Sequence, residues 1–253
     1  LYWLHTHFHS ETLNMPVPME VLLPESYVGT GAKYPALYLL HDMGDGHTTW
    51  LRKTNLESYL EEFSIAAIMP AAHLSYYADM FCGKKYFTYI TEELPAICER
   101  LFPLSTERED RMIAGTGIGG YGALKAGMYA SDNFSIAASF SSPIDINNIA
   151  ARVHTINSAD IFGPDPDLKG SRHDLYAAEK IHTKTHFYLD CETTSEFYHE
   201  NLLFAQHLEH QNLIHSFIEM KAMTNVRIQQ DISLQNFVKW LADHKTTVRK
   251  EDR

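Results

Sequence analysis

Short, nearly unbroken apolar runs alternate along this chain with longer stretches whose apolar positions recur every three or four residues. Tyr34 to Leu40, Ser64 to Met69, Ile113 to Thr116, Ser135 to Phe140, His186 to Asp190 and Ile214 to Glu219 are runs of the first kind. They read as strands buried on both faces of a parallel sheet. Between them lie amphipathic segments: Leu51 through Phe63, Tyr86 to Phe102, the residues up to Ala130, Phe197 to Gln211, and Ile232 to Ala242. These are predicted helices. Two earlier segments, around His5 to His9 and Val17 to Leu23, alternate with a period of two and predict an antiparallel start to the sheet. Strand and helix in this alternation predict an α/β fold: a mostly parallel central sheet of about eight strands with helices on both faces. Residues 143–184, rich in Asp, Asn, Pro and Gly, break the rhythm and read as an insertion after the sixth strand. The tail from Thr246 to Arg253 is charged and is expected to fray.

Composition narrows the class. At 253 residues the chain, 1–253, is expected to form a single domain with one insertion. A net charge of −11 argues against nucleic acid or an anionic membrane surface as partner. No apolar run approaches the ~20 residues that span a bilayer, and no basic segment leads into an apolar one at the N-terminus, so no signal peptide is expected. The three cysteines, Cys82, Cys98 and Cys191, form no C-x-x-C pair, and a reducing, cytoplasmic location fits them. Homo-oligomers are compatible with all of this.

His5, His7 and His9 share one strand face, continued by Glu11, and such residues are able to ligate a metal. Side chains in a row on one strand point the same way, however, and do not converge around an ion. The row reads as a solvated edge strand, and neither metal nor cofactor is expected.

The richest local signal is Ile113-Ala114-Gly115-Thr116-Gly117-Ile118-Gly119-Gly120-Tyr121-Gly122-Ala123-Leu124-Lys125. It reads as strand, glycine-crowded turn and helix, the layout of a nucleophile elbow G-x-S-x-G. Gly115 and Gly119 take the outer glycine positions, and Gly117 stands where the serine belongs. The same glycines formally match G-x-G-x-x-G. A dinucleotide fingerprint, though, belongs in the first βα unit with an acidic residue ~20 positions on, and here the apolar run Phe134 to Phe140 follows instead.

With these residues in view, the chain resembles the α/β-hydrolase superfamily, and within it the small esterases grouped with tributyrin esterase, acetyl esterase and S-formylglutathione hydrolase (esterase D). The likeness runs through Phe8-His9-Ser10-Glu11-Thr12-Leu13, Val21-Leu22-Leu23-Pro24, Leu39-Leu40-His41, Trp50-Leu51, Met69-Pro70, Tyr77-Ala78-Asp79-Met80, Glu92-Glu93-Leu94-Pro95 and the elbow itself. The resemblance implies an α/β-hydrolase fold and a Ser, Asp, His triad in that chain order with a backbone oxyanion hole. Carried over residue by residue, the nucleophile position is Gly117. The acid position, in Cys191-Glu192-Thr193-Thr194-Ser195-Glu196-Phe197-Tyr198, is Ser195, and the base position is Asn225. Asp42, Met43 and Ile118 take the oxyanion-hole positions, with Asp42 where the family has glycine. A carboxylate there opposes a site built for developing negative charge.

Four residues of the loops at the carboxyl edge of the sheet, His41, His73, Tyr77 and Asp79, are expected to line the pocket. Thr116 is expected to turn away from the apex, Cys191 reads as a packing residue, and Glu196 has no base to orient. The reading that follows is an esterase-like homologue without the triad, non-catalytic, holding a small ester or acyl ligand or a protein partner. The alternative is an active carboxylic-ester hydrolase in which Asp42, His41 or His73 activates water. A purely structural module stands as a third class.

Overall fold

A computed structural model describes residues 1–25, 31–146, 158–164, 168–178, 183–222 and 225–251. Its eight strands are β1 Tyr2–Ser10, β2 Met15–Leu23, β3 Ala36–Leu40, β4 Ala66–Pro70, β5 Arg111–Thr116, β6 Ile136–Phe140, β7 His186–Glu192 and β8 His215–Met220. They form one sheet in the order β1-β2-β4-β3-β5-β6-β7-β8. β1 and β2 are antiparallel, as are β2 and β4, and every other pair is parallel.

Strand alternation sends successive side chains to opposite faces, and both faces are dry. On one side Tyr38, Leu40 and Ile113 join Tyr121, Leu124 and Phe187. On the other, Leu37, Leu39, Met112 and Ala114 join Trp50, Leu60, Phe237 and Leu241. The chain leaves β3 for β4 on one side and returns to β5 on the other. The carboxyl ends of β3 and β5 therefore flank the point where strand order reverses, the usual place for a ligand crevice in such sheets.

Helices depart from the sequence reading at three places. The segment Leu51–Phe63 is two helices, Thr49–Lys53 and Leu56–Phe63, parted at an extended Thr54. There Asp231 takes the backbone N–H of Asn55 at 2.7 Å and its side-chain amide at 2.8 Å. The helix from Tyr86 runs through a π-helical turn, Tyr89–Glu93, to Leu101. From that turn Glu93 reaches back to accept Ser10 Oγ at 2.5 Å and Glu11 N at 2.7 Å, fixing the β1–β2 turn. The last helix is Val226–Glu251, longer at both ends than expected, so the backbone of the charged tail up to Glu251 is helical. No Gly or Pro interrupts those residues, and Asn225 caps their start: its Oδ1 accepts the N–H of Arg227 at 2.9 Å.

Of the expected insertion, residues 147–157, 165–167 and 179–182 lie outside the described residues. The rest includes a short helix, Ser158–Phe162, and a 3-10 turn, Leu175–Ala178. It packs on the helix Ile118–Tyr129: Tyr121 Oη donates to His173 O at 2.6 Å, and buried Lys125 lies 3.1 Å from His173 Nδ1. Burial lowers the Lys125 ammonium to about 7, with Arg172 acting in the same direction.

Candidate functional site

β5 delivers the chain to the elbow, and the turn has the strained geometry that the sequence predicts. Gly117 sits at φ 54°, ψ −126°, a region open to glycine at little strain. The neighbouring glycines are there for clearance. A Cβ on Gly115 would run into the backbone of Gly119, and one on Gly119 into the carbonyls of Leu40 and His41.

The loop after β3 meets this apex from the other side. Asp42 turns its carboxylate inward, and its Oδ1 accepts the N–H of Met43 at 2.7 Å and the N–H of Ile118 at 2.9 Å. Those two amides are the expected oxyanion donors, so a side chain of the protein itself occupies the place of the oxyanion. A Cβ on Gly117 would overlap that same carboxylate. Burial raises the Asp42 carboxyl above its ordinary value, and the bonds from Ile118 and Met43 oppose the shift.

A cavity of about 390 Å³ opens over this arrangement. Its lining includes Asp42 and Met43 of the loop after β3, Thr116, Gly117 and Ile118 at the elbow, Phe140, Ser141 and Pro143 at the end of β6, and Glu192, Ser195, Glu196 and Phe197 at the end of β7. Gln229, Gln230 and Ser233 of the last helix and Tyr76 complete it. Ser195 thus faces the cavity, its Oγ accepting the N–H of Phe197 at 3.2 Å. Thr116 does turn its hydroxyl aside, to Phe140 O at 3.3 Å, although the residue still lines the wall.

Asn225 does not reach the cavity. It is exposed and spent as the helix cap, and Gln229 and Gln230 stand where that segment meets the site. The base position lies before Ile232, in what the sequence reading leaves as loop, whereas the helix begins at Val226. A helical period carried back to that point brings Gln229 and Gln230 onto the helix, where they line the cavity. Gln229 Nε2 donates to Ser141 Oγ at 2.6 Å. Gln230 is buried, and its amide nitrogen, itself shielded from solvent, has no hydrogen-bond partner among the described residues.

The four residues expected in the lining are not part of it, and each has a structural occupation instead. His41 is buried, its Nδ1 2.8 Å from Asp42 O and its Nε2 3.1 Å from Ala72 N. These partners specify the Nδ1–H tautomer, since Ala72 can only donate. Burial lowers the pKa of His41, keeping it neutral. Tyr77 donates to His41 O at 2.8 Å from beneath the loop; its neighbour Tyr76 is the one that faces the cavity. Asp79 binds Thr88 through both backbone N–H and hydroxyl, each at 2.9 Å. His73 is exposed and edge-on to Tyr86. Cys191 is buried within β7, its thiol pushed up to about 11 by burial, far from a nucleophilic thiolate. No His, Lys or Arg lines the cavity among the described residues, while three carboxylates do.

A model of the Esterase family, described as "Putative esterase", matches residues 10–203. An acetyl esterase of Caldicellulosiruptor saccharolyticus is 29% identical over 150 residues, and the match covers 56% of this chain and 56% of that relative. The chain thus spans about half the length of this curated relative. Among solved structures, FphF of Staphylococcus aureus, a fluorophosphonate-binding serine hydrolase in a substrate-bound state, superposes with a TM-score of 0.88 at 28% identity. Coverage there is 95% of this chain and 98% of that one. The S-formylglutathione hydrolase of the same organism gives 0.82 at 27% identity, with the same coverage. The sheet order, the elbow and these superpositions are those of the α/β-hydrolase fold.

Proposed function

The chain belongs to the Esterase family, and we propose that within it this protein is a non-catalytic member that binds a small, uncharged ligand of the ester or acyl class in the cavity above Asp42. The observation that carries this reading is the Asp42 carboxylate in the oxyanion position. Acyl transfer needs a nucleophile, a base that takes its proton, and donors left free for the oxyanion. At the elbow apex Gly117 has no side chain, the two donors are engaged by Asp42, and no histidine lines the cavity among the described residues.

The hydrolytic alternative needs a base for water. His41 has both ring nitrogens committed, and His73 stands outside the cavity. Asp42 has its Oδ1 committed as the acceptor of two N–H groups. What remains suits binding. The volume lies within the ~300–1,000 Å³ of ordinary ligand sites. Phe140, Phe197 and Ile118 supply apolar contact. Asp42, Glu192 and Glu196 select against a free carboxylate.

The test is hydrolysis of short-chain p-nitrophenyl esters by purified protein, run beside a fluorophosphonate labelling gel. Neither turnover nor labelling is expected. Turnover near the ~10 per second typical of enzymes would overturn the proposal, as would a labelled band at this chain's mass.

A further inference from the structure

At the far end of the loop that carries Asp42, three side chains from three elements turn toward one another. His5 lies on β1, Glu20 on β2 directly opposite it in the strand register, and His47 in the loop after β3. His5 Nδ1 is 2.5 Å from Glu20 Oε1, and His47 Nε2 is 3.7 Å from the same oxygen. One ligand atom from each of the three lies within 4.8 Å of the others. No other group of three or more such residues does so among the described residues. This is not the row His5, His7, His9 and Glu11 weighed from the sequence. Of that row only His5 takes part, because convergence needs ligands from neighbouring elements rather than from one strand.

We propose that His5, Glu20 and His47 form a binding site for a divalent transition-metal ion, of the zinc class, which pins the Asp42–Thr48 loop to the β1–β2 edge. Two imidazoles and a carboxylate are a donor set that zinc takes readily, with a fourth position left to water. Tetrahedral bonds of ~2.0–2.1 Å place donor atoms about 3.3 Å apart. The two distances to Glu20 Oε1 straddle that spacing, so small ring rotations complete the set.

The surroundings are arranged in the same sense. Glu20 is 1% exposed, and a buried carboxylate needs a positive partner. Trp3 Nε1 donates to Glu20 Oε2 at 2.7 Å, which fixes the carboxylate and leaves Oε1 directed at the histidines. His7 Nε2 lies 3.2 Å from His5 Nε2, placed to accept that N–H and present the His5 Nδ1 lone pair to an ion. His5 is 56% exposed and gives the ion a way in from solvent.

Calorimetric titration of the purified chain with zinc, supported by the visible spectrum of its cobalt(II) complex, tests this. With fifteen histidines in the chain, stoichiometry alone decides little. The comparison is between His47→Ala, which removes a ligand from a surface loop, and His9→Ala, which removes an exposed histidine of the same strand outside the cluster. One equivalent per chain is expected. His47→Ala should weaken it at least tenfold and abolish the zinc-dependent rise in melting temperature, and His9→Ala should leave both unchanged. Glu20→Gln, which keeps the acceptor for Trp3, should act like His47→Ala. The proposal is overturned if zinc does not bind, or if His47→Ala binds it as the unaltered chain does.

Discussion

The elbow, residues 115–120, and the stretch that leads into the last helix and forms its first turn, residues 221–230, answer to different constraints. At the elbow every glycine faces something: Gly115 the turn of Gly119, Gly119 the carbonyls of Leu40 and His41, Gly120 the hydroxyls of Ser142 and Ser139. The strained backbone at Gly117 persists although no side chain there uses it. In the other stretch Lys221, Ala222, Asn225, Arg227 and Ile228 are exposed, and contact with the site resumes only at Gln229. The elbow is held by packing between β3, β5 and the helix behind them. The exposed residues of the second stretch have no such support, so packing fixes the first region and leaves much of the second to solvent.

The sharpest way to break that comparison is Gly115→Ala. The added methyl meets backbone rather than a movable side chain, and overpacking of this kind costs ~1–3 kcal/mol, occasionally more. Loss at or above the upper end is expected in urea unfolding. A neutral outcome would mean that the elbow is as slack as the loop.

A second test asks whether the rigid side extends to the end of β7. Asp190 is fully buried, with Ser233 donating to Oδ1 at 3.1 Å and no partner for Oδ2 among the described residues. Burial raises its carboxyl from 3.8 to about 8. Between those values the folded chain holds a proton that the unfolded chain has released, so stability falls as pH rises through that window. Below 3.8 both states are protonated, and above about 8 the loss is complete. Asp190→Asn should therefore gain melting temperature relative to the unaltered chain at pH 8 and little at pH 4. Equal pH profiles for the two proteins would place Asp190 in contact with water.

Much of this was legible in the sequence, and the failures have a common cause. Inner strands such as Ala36–Leu40 and Ile136–Phe140 stand out in the sequence because they are buried on both faces and nearly every residue is apolar, and β1 by its alternation. The elbow was legible because glycine there is dictated by clearance. Asp42 was noticed as a misfit in the oxyanion loop, but its placement against both donors is a fact of three-dimensional approach between the ends of β3 and β5. Gln229 and Gln230 fall outside the helix that the periodicity predicts from Ile232, whereas the helix starts six residues earlier, at Val226. Likewise, His5, Glu20 and His47 are scattered along the chain, and only strand register and a loop bring them together.

Gly117→Ser sharpens the comparison from within the elbow. The new side chain meets a positive φ and the Asp42 carboxylate together, and a loss of ~1–3 kcal/mol is expected. Asp42→Gly should relieve the second part, so the double variant should be more stable than the sum of the single changes predicts. Strict additivity in the double-mutant cycle would show that Asp42 moves aside freely and is not lodged in the oxyanion position.

The smallest effect is expected at Asn225, and it bears most directly on the second region. Restoring a base there by Asn225→His removes the cap on Arg227 N, worth ~1 kcal/mol. In a chain already carrying Gly117→Ser, Asp42→Gly and Ser195→Asp it should add no ester hydrolysis, since residue 225 is exposed and outside the cavity. Gln229→His in the same background places imidazole on the cavity wall, beside Ser141, and is the better candidate for a rate that a p-nitrophenyl acetate assay detects. Serine and base act as a unit, so neither histidine should help while Gly117 remains. Hydrolysis restored by Asn225→His and not by Gln229→His would show that the start of the last helix unwinds to bring residue 225 inward. The segment would then be a loop held in reserve, and the contrast with the elbow would be one of mobility rather than of support.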